Sequence, residues 1–194
     1  MKRSWIIIGV VVLVLIIAYS SIKGTYNSMV GKDESVSAQW ANVETQYQRR
    51  LDLIPNLVNT VKGFAEQEKD VLVGVTEARA NASSIKIDPS NAADLQKFQA
   101  AQGQLNSALS RLLVTVERYP DLKSNQNFLE LQAQLEGTEN RISVERKRFN
   151  ETVRDYNTYI RQFPNNIYAG FFDFDKRPMF EADEGAESAP KVEF

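Results

Sequence analysis

Glu68, Gln102 and Glu139 each interrupt a run of apolar residues recurring at helical spacing. Two carboxylates held close together in a core cannot both stay charged cheaply, so such a pair needs a shared proton, a basic partner or a cation. Counting about 1.5 Å of rise per residue along an up-down-up arrangement of three helices puts the three side chains at one height, within about one helical turn. The spacing predicts a buried polar layer that fixes helix register, as single polar residues do in coiled coils, with a proton or cation site as its sharper form.

Other chemistry is narrowed by what the chain lacks. It contains no His and no Cys, which excludes Ser-His-Asp and Cys-His catalysis, His-ligated zinc or iron, thiolate metal sites and disulfides. Carboxylate-only Mg or Ca sites and Lys or Tyr chemistries survive that exclusion. No Gly-rich phosphate loop, nucleophile elbow or Glu-x-x-His pair is present. The sequence therefore predicts a non-enzyme with no cofactor, no small-molecule substrate, and no catalytic or metal-binding residues. Twenty-three basic against 25 acidic residues give a net charge of −2, which argues against nucleic acid as a partner. Arg146-Lys147-Arg148 is flanked on its helix by Glu145 and Glu151 and reads as a solvated charged face.

The elements that must carry these residues are helical. An apolar stripe runs from Val36 through Trp40, Val43, Tyr47, Leu51, Ile54, Val58 and Val61 to Leu72 and Val75, with Asp33 or Ser35 able to cap its start. It predicts one long helix to about residue 81, kinked at Pro55, whose ring clashes with the carbonyl of Leu51. Asp88-Pro89 reads as the N-cap and first residue of a second helix, striped from Leu95 and Phe98 to Val116 and stopped at Tyr119-Pro120-Asp121. A third run, from Phe128 to Phe163, begins after Ser124 and closes at Pro164-Asn165-Asn166. Aromatic residues fall on the seams, where they read as core. Strand-like alternation is absent over any useful length. The fold class is all-α: a helical bundle over residues 25–174, followed by an acidic tail over 175–194 that reads as extended or disordered.

Residues 1–24 read as a membrane anchor. Residues 4–22 carry no charge, and 19 residues at helical rise span roughly 28 Å, close to the hydrocarbon thickness of a bilayer. Trp5 and Tyr19 lie near the two ends, where amphipathic rings favour the interface. A cleaved signal peptide is the competing reading, since Ala18-Tyr19-Ser20 resembles a cleavage site. Lys2 and Arg3 before the segment tilt the positive-inside balance towards a body outside the cytoplasm.

Two surfaces stand out for binding. In the three-helix arrangement the first body helix is about 69 Å long and the second about 42 Å. Trp40, Val43, Tyr47 and Leu51 then project beyond the second helix and must be covered by the C-terminal segment, another subunit or a partner; an intermolecular contact is the expectation. At the C-terminus, Val192 and Phe194 are spaced as an extended peptide needs for strand addition in a PDZ-type groove, or they pack back onto the bundle.

Several stretches resemble the LemA family of bacterial membrane proteins. They are Tyr26-Asn27 with Val30, Gln48-Arg49-Arg50-Leu51-Asp52-Leu53-Ile54-Pro55-Asn56-Leu57-Val58, Thr60-Val61-Lys62-Gly63, and Glu77-Ala78-Arg79. Tyr119-Pro120-Asp121-Leu122-Lys123, Glu136-Gly137-Thr138-Glu139-Asn140-Arg141-Ile142, Tyr156-Asn157, Phe163-Pro164, Gly170 and the closing Val192-x-Phe194 also fit. Where the family commonly shows Tyr-Ala-x-His-Glu, this chain reads Phe64-Ala65-Glu66-Gln67-Glu68, and the lost His speaks against a metal site. The resemblance implies a single N-terminal anchor and a helical bundle in a bacterial cell membrane, with the short N-terminus outside, opposite to the charge balance. It supplies no biochemical activity. The function expected is a membrane-anchored scaffold or adaptor of the bacterial envelope, self-associating or binding other envelope proteins. The alternative is a regulatory subunit of a membrane-associated enzyme such as a protease.

Overall fold

The computed structural model describes residues 2–64 and 67–181. One helix, α1, runs unbroken over Lys2–Lys62. At about 1.5 Å per residue its 61 residues make a rod of roughly 90 Å. It is the one described helix long and apolar enough to cross a membrane. The side chains from Trp5 to Ile17 are exposed. No break separates this stretch from the part of α1 that enters the bundle.

Beyond Lys62 the structure departs from the sequence expectation. The first body helix does not continue to residue 81; it stops at Lys62, and Gly63 and Phe64 turn back with bonds to the carbonyls of Asn59 and Val61. A separate helix, α2 (Lys69–Ser84), descends beside α1, with Arg79 level with Leu51. Then α3 (Ala92–Val116) ascends again, with Asn81 of α2 bonded to Gln104. A short turn of helix, α4 (Pro120–Lys123), leads into α5 (Gln126–Arg161), which runs down the length of α1. The order is therefore up, down, up, down. Finally α6 (Asn165–Phe171) lies at the foot of the bundle against α1 and α5.

The stops follow from local chemistry. Asn91, rather than Asp88, caps α3, accepting from the Ala93 amide at 2.9 Å. Asp88 instead closes the preceding turn by accepting from Ser90, and those bonds lower its pKa. Asn125 caps α5 by accepting from the Phe128 amide. Pro120 opens α4, where its missing N–H leaves nothing unsatisfied. Pro55 lies inside α1 without ending it.

Two apolar clusters fill the bundle. The distal one is mostly aliphatic, built on Ile54, Leu57, Val61, Leu72, Val75, Leu105 and Leu112, with Phe128 of α5 as a buried ring among them. The one nearer the membrane holds Met29, Trp40, Tyr47, Phe98, Phe149, Tyr156 and Phe180. Trp40, Val43, Tyr47 and Leu51 are all buried within this chain. The expected exposed stripe is thus already covered: α3, α5 and the segment after α6 close over it, because the chain returns to the foot of α1 twice.

Candidate functional site

Two polar constructions are set into this frame. The first is centred on Arg50. In α1, Pro55 has no N–H to offer the carbonyl four residues back. That carbonyl, of Leu51, instead accepts from Nε of Arg79 on α2 at 2.8 Å. A guanidinium thus replaces the missing backbone donor, and the helix passes through its proline intact. One residue before Leu51, Arg50 is only 5% exposed. Its Nη1 lies 2.9 Å from Oε2 of Glu139 on α5, and its Nη2 donates to Oδ1 of Asn106 on α3. Burial lowers the Arg50 pKa, and the neighbouring Glu139 carboxylate partly restores it. The cation ties α1, α3 and α5 together.

A cavity of about 570 Å³ opens beside it, lined by Tyr47, Arg50, Gln102, Asn106, Glu139 and Arg146 among others. Gln102 is buried, and neither polar atom of its side chain finds a hydrogen-bond partner among the described residues.

The second construction is a strap. After α6 the chain turns at Asp173, whose φ of 59° lies in the left-handed region that Asp tolerates better than most residues. It then climbs α5 in extended form. Asn157 accepts from the Arg177 amide and donates to the Arg177 carbonyl, both at 2.9 Å. Asn150 treats Phe180 the same way, again at 2.9 Å. Seven residues of helix and three of extended chain both span about 10 Å, so two turns of α5 match the strap's step. Each Asn acts as a neighbouring β-strand would.

Around these clamps, Arg177 makes a two-pronged bond to Asp33 of α1 at 2.8 and 2.9 Å. That bond raises its pKa. Tyr156 donates to the Asp175 carbonyl, and burial, helped by the Asp33 charge, pushes its hydroxyl up to about 12. Phe180 stacks on Trp40 and meets Phe149 edge-on.

The expected polar layer of Glu68, Gln102 and Glu139 does not form. Glu139 meets Arg50, whereas Glu68 lies past the end of α1 and accepts from the Tyr119 hydroxyl at 2.9 Å, with Arg118 at 3.0 Å. That bond to Glu68 also raises the Tyr119 pKa. From Arg50 to Lys62 is about 18 Å of helix, more than three turns, so the two carboxylates are far apart. The turn at Gly63 sets Glu68 at the far tip, where a continuous helix would have set it mid-bundle. Only Gln102 and Glu139 share a site, and Glu139 has the basic partner its position required. Among the described residues no cluster of three or more acids could hold a metal. Arg146 is not merely part of a solvated face: it donates to the Glu181 carbonyl and lies over the Phe180 ring. Val192 and Phe194 lie outside the described residues.

The sequence carried a signal for Arg50 in its spacing. Val36, Trp40, Val43, Tyr47, Ile54, Leu57 and Val61 are buried at alternating steps of four and three, and residue 50 is the missing member of that series. The strap had a fainter signal, the seven-residue interval between Asn150 and Asn157.

The LemA family model matches residues 39–194. The chain belongs to the LemA family. Among its relatives, Magnetosome protein MamQ 2 of Paramagnetospirillum magneticum is 26% identical over 186 residues, covering 86% of this chain and 68% of the relative. Magnetosome protein MamQ of Magnetospirillum gryphiswaldense is 25% identical over 206 residues, covering 96% and 75%. Protein LemA of Metamycoplasma hominis is 22% identical over 173 residues, covering 89% and 76%. In this LemA-family chain the motif residues Arg50, Pro55, Arg79 and Glu139 take part in the first polar construction and Asn157 in the second.

Proposed function

We propose that this LemA-family protein is a scaffold or adaptor of the bacterial envelope, held in the cell membrane by residues 1–24 with its bundle outside the cytoplasm. It works by binding copies of itself or other envelope proteins. The observation that carries this reading is the unbroken α1. A tether for an independent enzyme needs no fixed geometry, and a flexible linker serves it well. Here the membrane-crossing helix is itself a wall of the bundle, so the far tip is held at a set height and orientation. From residue 22 to Lys62 that height is roughly 60 Å.

Affinity capture from detergent-solubilised membranes, with cross-linking before lysis, tests the proposal. Self-association, or capture of envelope proteins without a stoichiometric enzyme, is the expected result. A single membrane enzyme recovered in equal amount would instead make the chain a regulatory subunit. Protease digestion of spheroplasts, in which the body should be cut, tests the side of the membrane.

A further inference from the structure

The foot of the bundle carries an apolar face turned away from the core. On α6, Tyr168 and Ala169 pack inward against the aromatic cluster. The opposite side presents Ile167 and Phe171, continued by Phe163 just before the helix, at spacings of four. Their exposures are 59%, 78% and 81%. A surface helix ordinarily shows polar residues on its outer side. This one shows two Phe and one Ile, the side chains most expensive to leave in water.

The position of α6 supplies the occupant. Phe172, at its end, meets the Tyr26 ring of α1 edge-on at 4.9 Å. Ala169 shares a cluster with Met29. Tyr26 and Met29 lie four and seven residues beyond residue 22, where the uncharged stretch ends, so α6 sits about 6 to 10 Å above the hydrocarbon edge. The headgroup zone of each leaflet is roughly 5 to 8 Å deep. A helix of about 5 Å radius at that height can bring its outer side chains to within about 1 to 5 Å of the hydrocarbon edge, inside the headgroup zone where interfacial helices lie. Exposed Arg161 stands two residues before Phe163, and exposed Lys23 lies on α1 just past the uncharged stretch; both are cations suited to lipid phosphates.

We infer that Phe163, Ile167 and Phe171 form an interfacial membrane-docking face, a second point of attachment beside the span. It rests on membrane anchoring alone and holds whether or not the protein is a scaffold. Its occupant is the lipid of the leaflet that α1 leaves.

The chain has no Cys, so single cysteines at 163, 167 and 171 can each carry a polarity-sensitive fluorophore without interference. The full-length protein is reconstituted into phosphatidylcholine–phosphatidylglycerol vesicles containing, or lacking, lipids with a nitroxide near the headgroup. A control label replaces Val114, which is exposed near the distal end of α3. Blue-shifted emission, mostly lost to the nitroxide lipid at positions 163, 167 and 171 but unchanged at 114, is the expected result. Water-like emission that the nitroxide leaves unchanged at all three positions overturns the inference. So does shielding that the lipid quencher cannot reach and that fades as protein is diluted in the bilayer, because the face is then covered by a second copy. Three independent labels keep the outcome readable if one of them disturbs folding.

Discussion

Towards the far tip, Ile54, Leu57, Val61, Leu72, Val75, Leu105 and Leu112 pack as branched aliphatic side chains contributed by α1, α2 and α3, joined by the Phe128 ring of α5. Towards the membrane, Trp40, Tyr47, Phe98, Phe149 and Phe180 meet ring to ring, with Tyr156 buried in the same cluster. The change follows the end of α2. With Arg79 level with Leu51, Ser84 comes to about the level of residue 46, and among the described residues no fourth long helix continues below it. An extended strap is far thinner than a helix of 10 Å diameter, so the same cross-section has to be filled by larger side chains. Mostly aliphatic packing serves where four helices meet. Where three helices and a strap meet, rings supply the bulk and asparagines supply the backbone partners that a sheet or helix would have given.

The sharpest way to break this comparison is to delete bulk in each half. Phe149 is fully buried between Trp40 and Phe180, and Phe149→Ala should cost about 3–5 kcal/mol. Leu112→Ala, equally buried in the distal half, should cost about 2–5 kcal/mol and fall below it, because the neighbouring helices can relax into the gap. Urea unfolding in detergent micelles measures both. A smaller loss for Phe149→Ala would mean that the rings are not what holds the lower half together.

Asn157→Ala sharpens the contrast locally. It removes both bonds to Arg177, a loss of about 1–3 kcal/mol. Hydrogen exchange should accelerate over residues 172–181 while the amides of α2 and α3 keep their protection. Uniform acceleration through the bundle would show that the strap and the distal half open as one unit.

The smallest effect has the opposite sign. Gly137 lies inside α5, and a methyl group added there would meet nothing within 4 Å. Gly137→Ala should therefore raise stability by roughly 0.8–1 kcal/mol through helix propensity alone. A lowered melting temperature of the membrane-reconstituted protein would reveal that another chain approaches this face closely.

Much of the fold could be read from the chain because its helices are stopped by residues with unambiguous geometry. Pro120, Asn125 and Pro164 each fix an end to within a few residues. The break at Gly63 was not legible, since the apolar stripe carries on from Val61 to Leu72 in near-helical phase and a lone Gly is compatible with a helix interior. That single break turned three helices into four and moved Glu68 from mid-bundle to the tip. It also hid the cover over Trp40 and Tyr47, which depends on α3 running upward beside them. The role of Arg50 is hidden in the sequence because a charged residue on a seam looks like solvent-facing surface until its partners, 56 and 89 positions away, are brought alongside.

The proline in α1 is spliced by Arg79, so the rod from the membrane to the tip has no joint. A rod of this kind works like a shaft. Each helical residue added or removed between the span and Met29 would swing the azimuth of the bundle by about 100° and shift its height by about 1.5 Å. The length of that short collar, residues 23–28, is therefore a phase setting: it decides which side of the bundle looks along the membrane towards a neighbour.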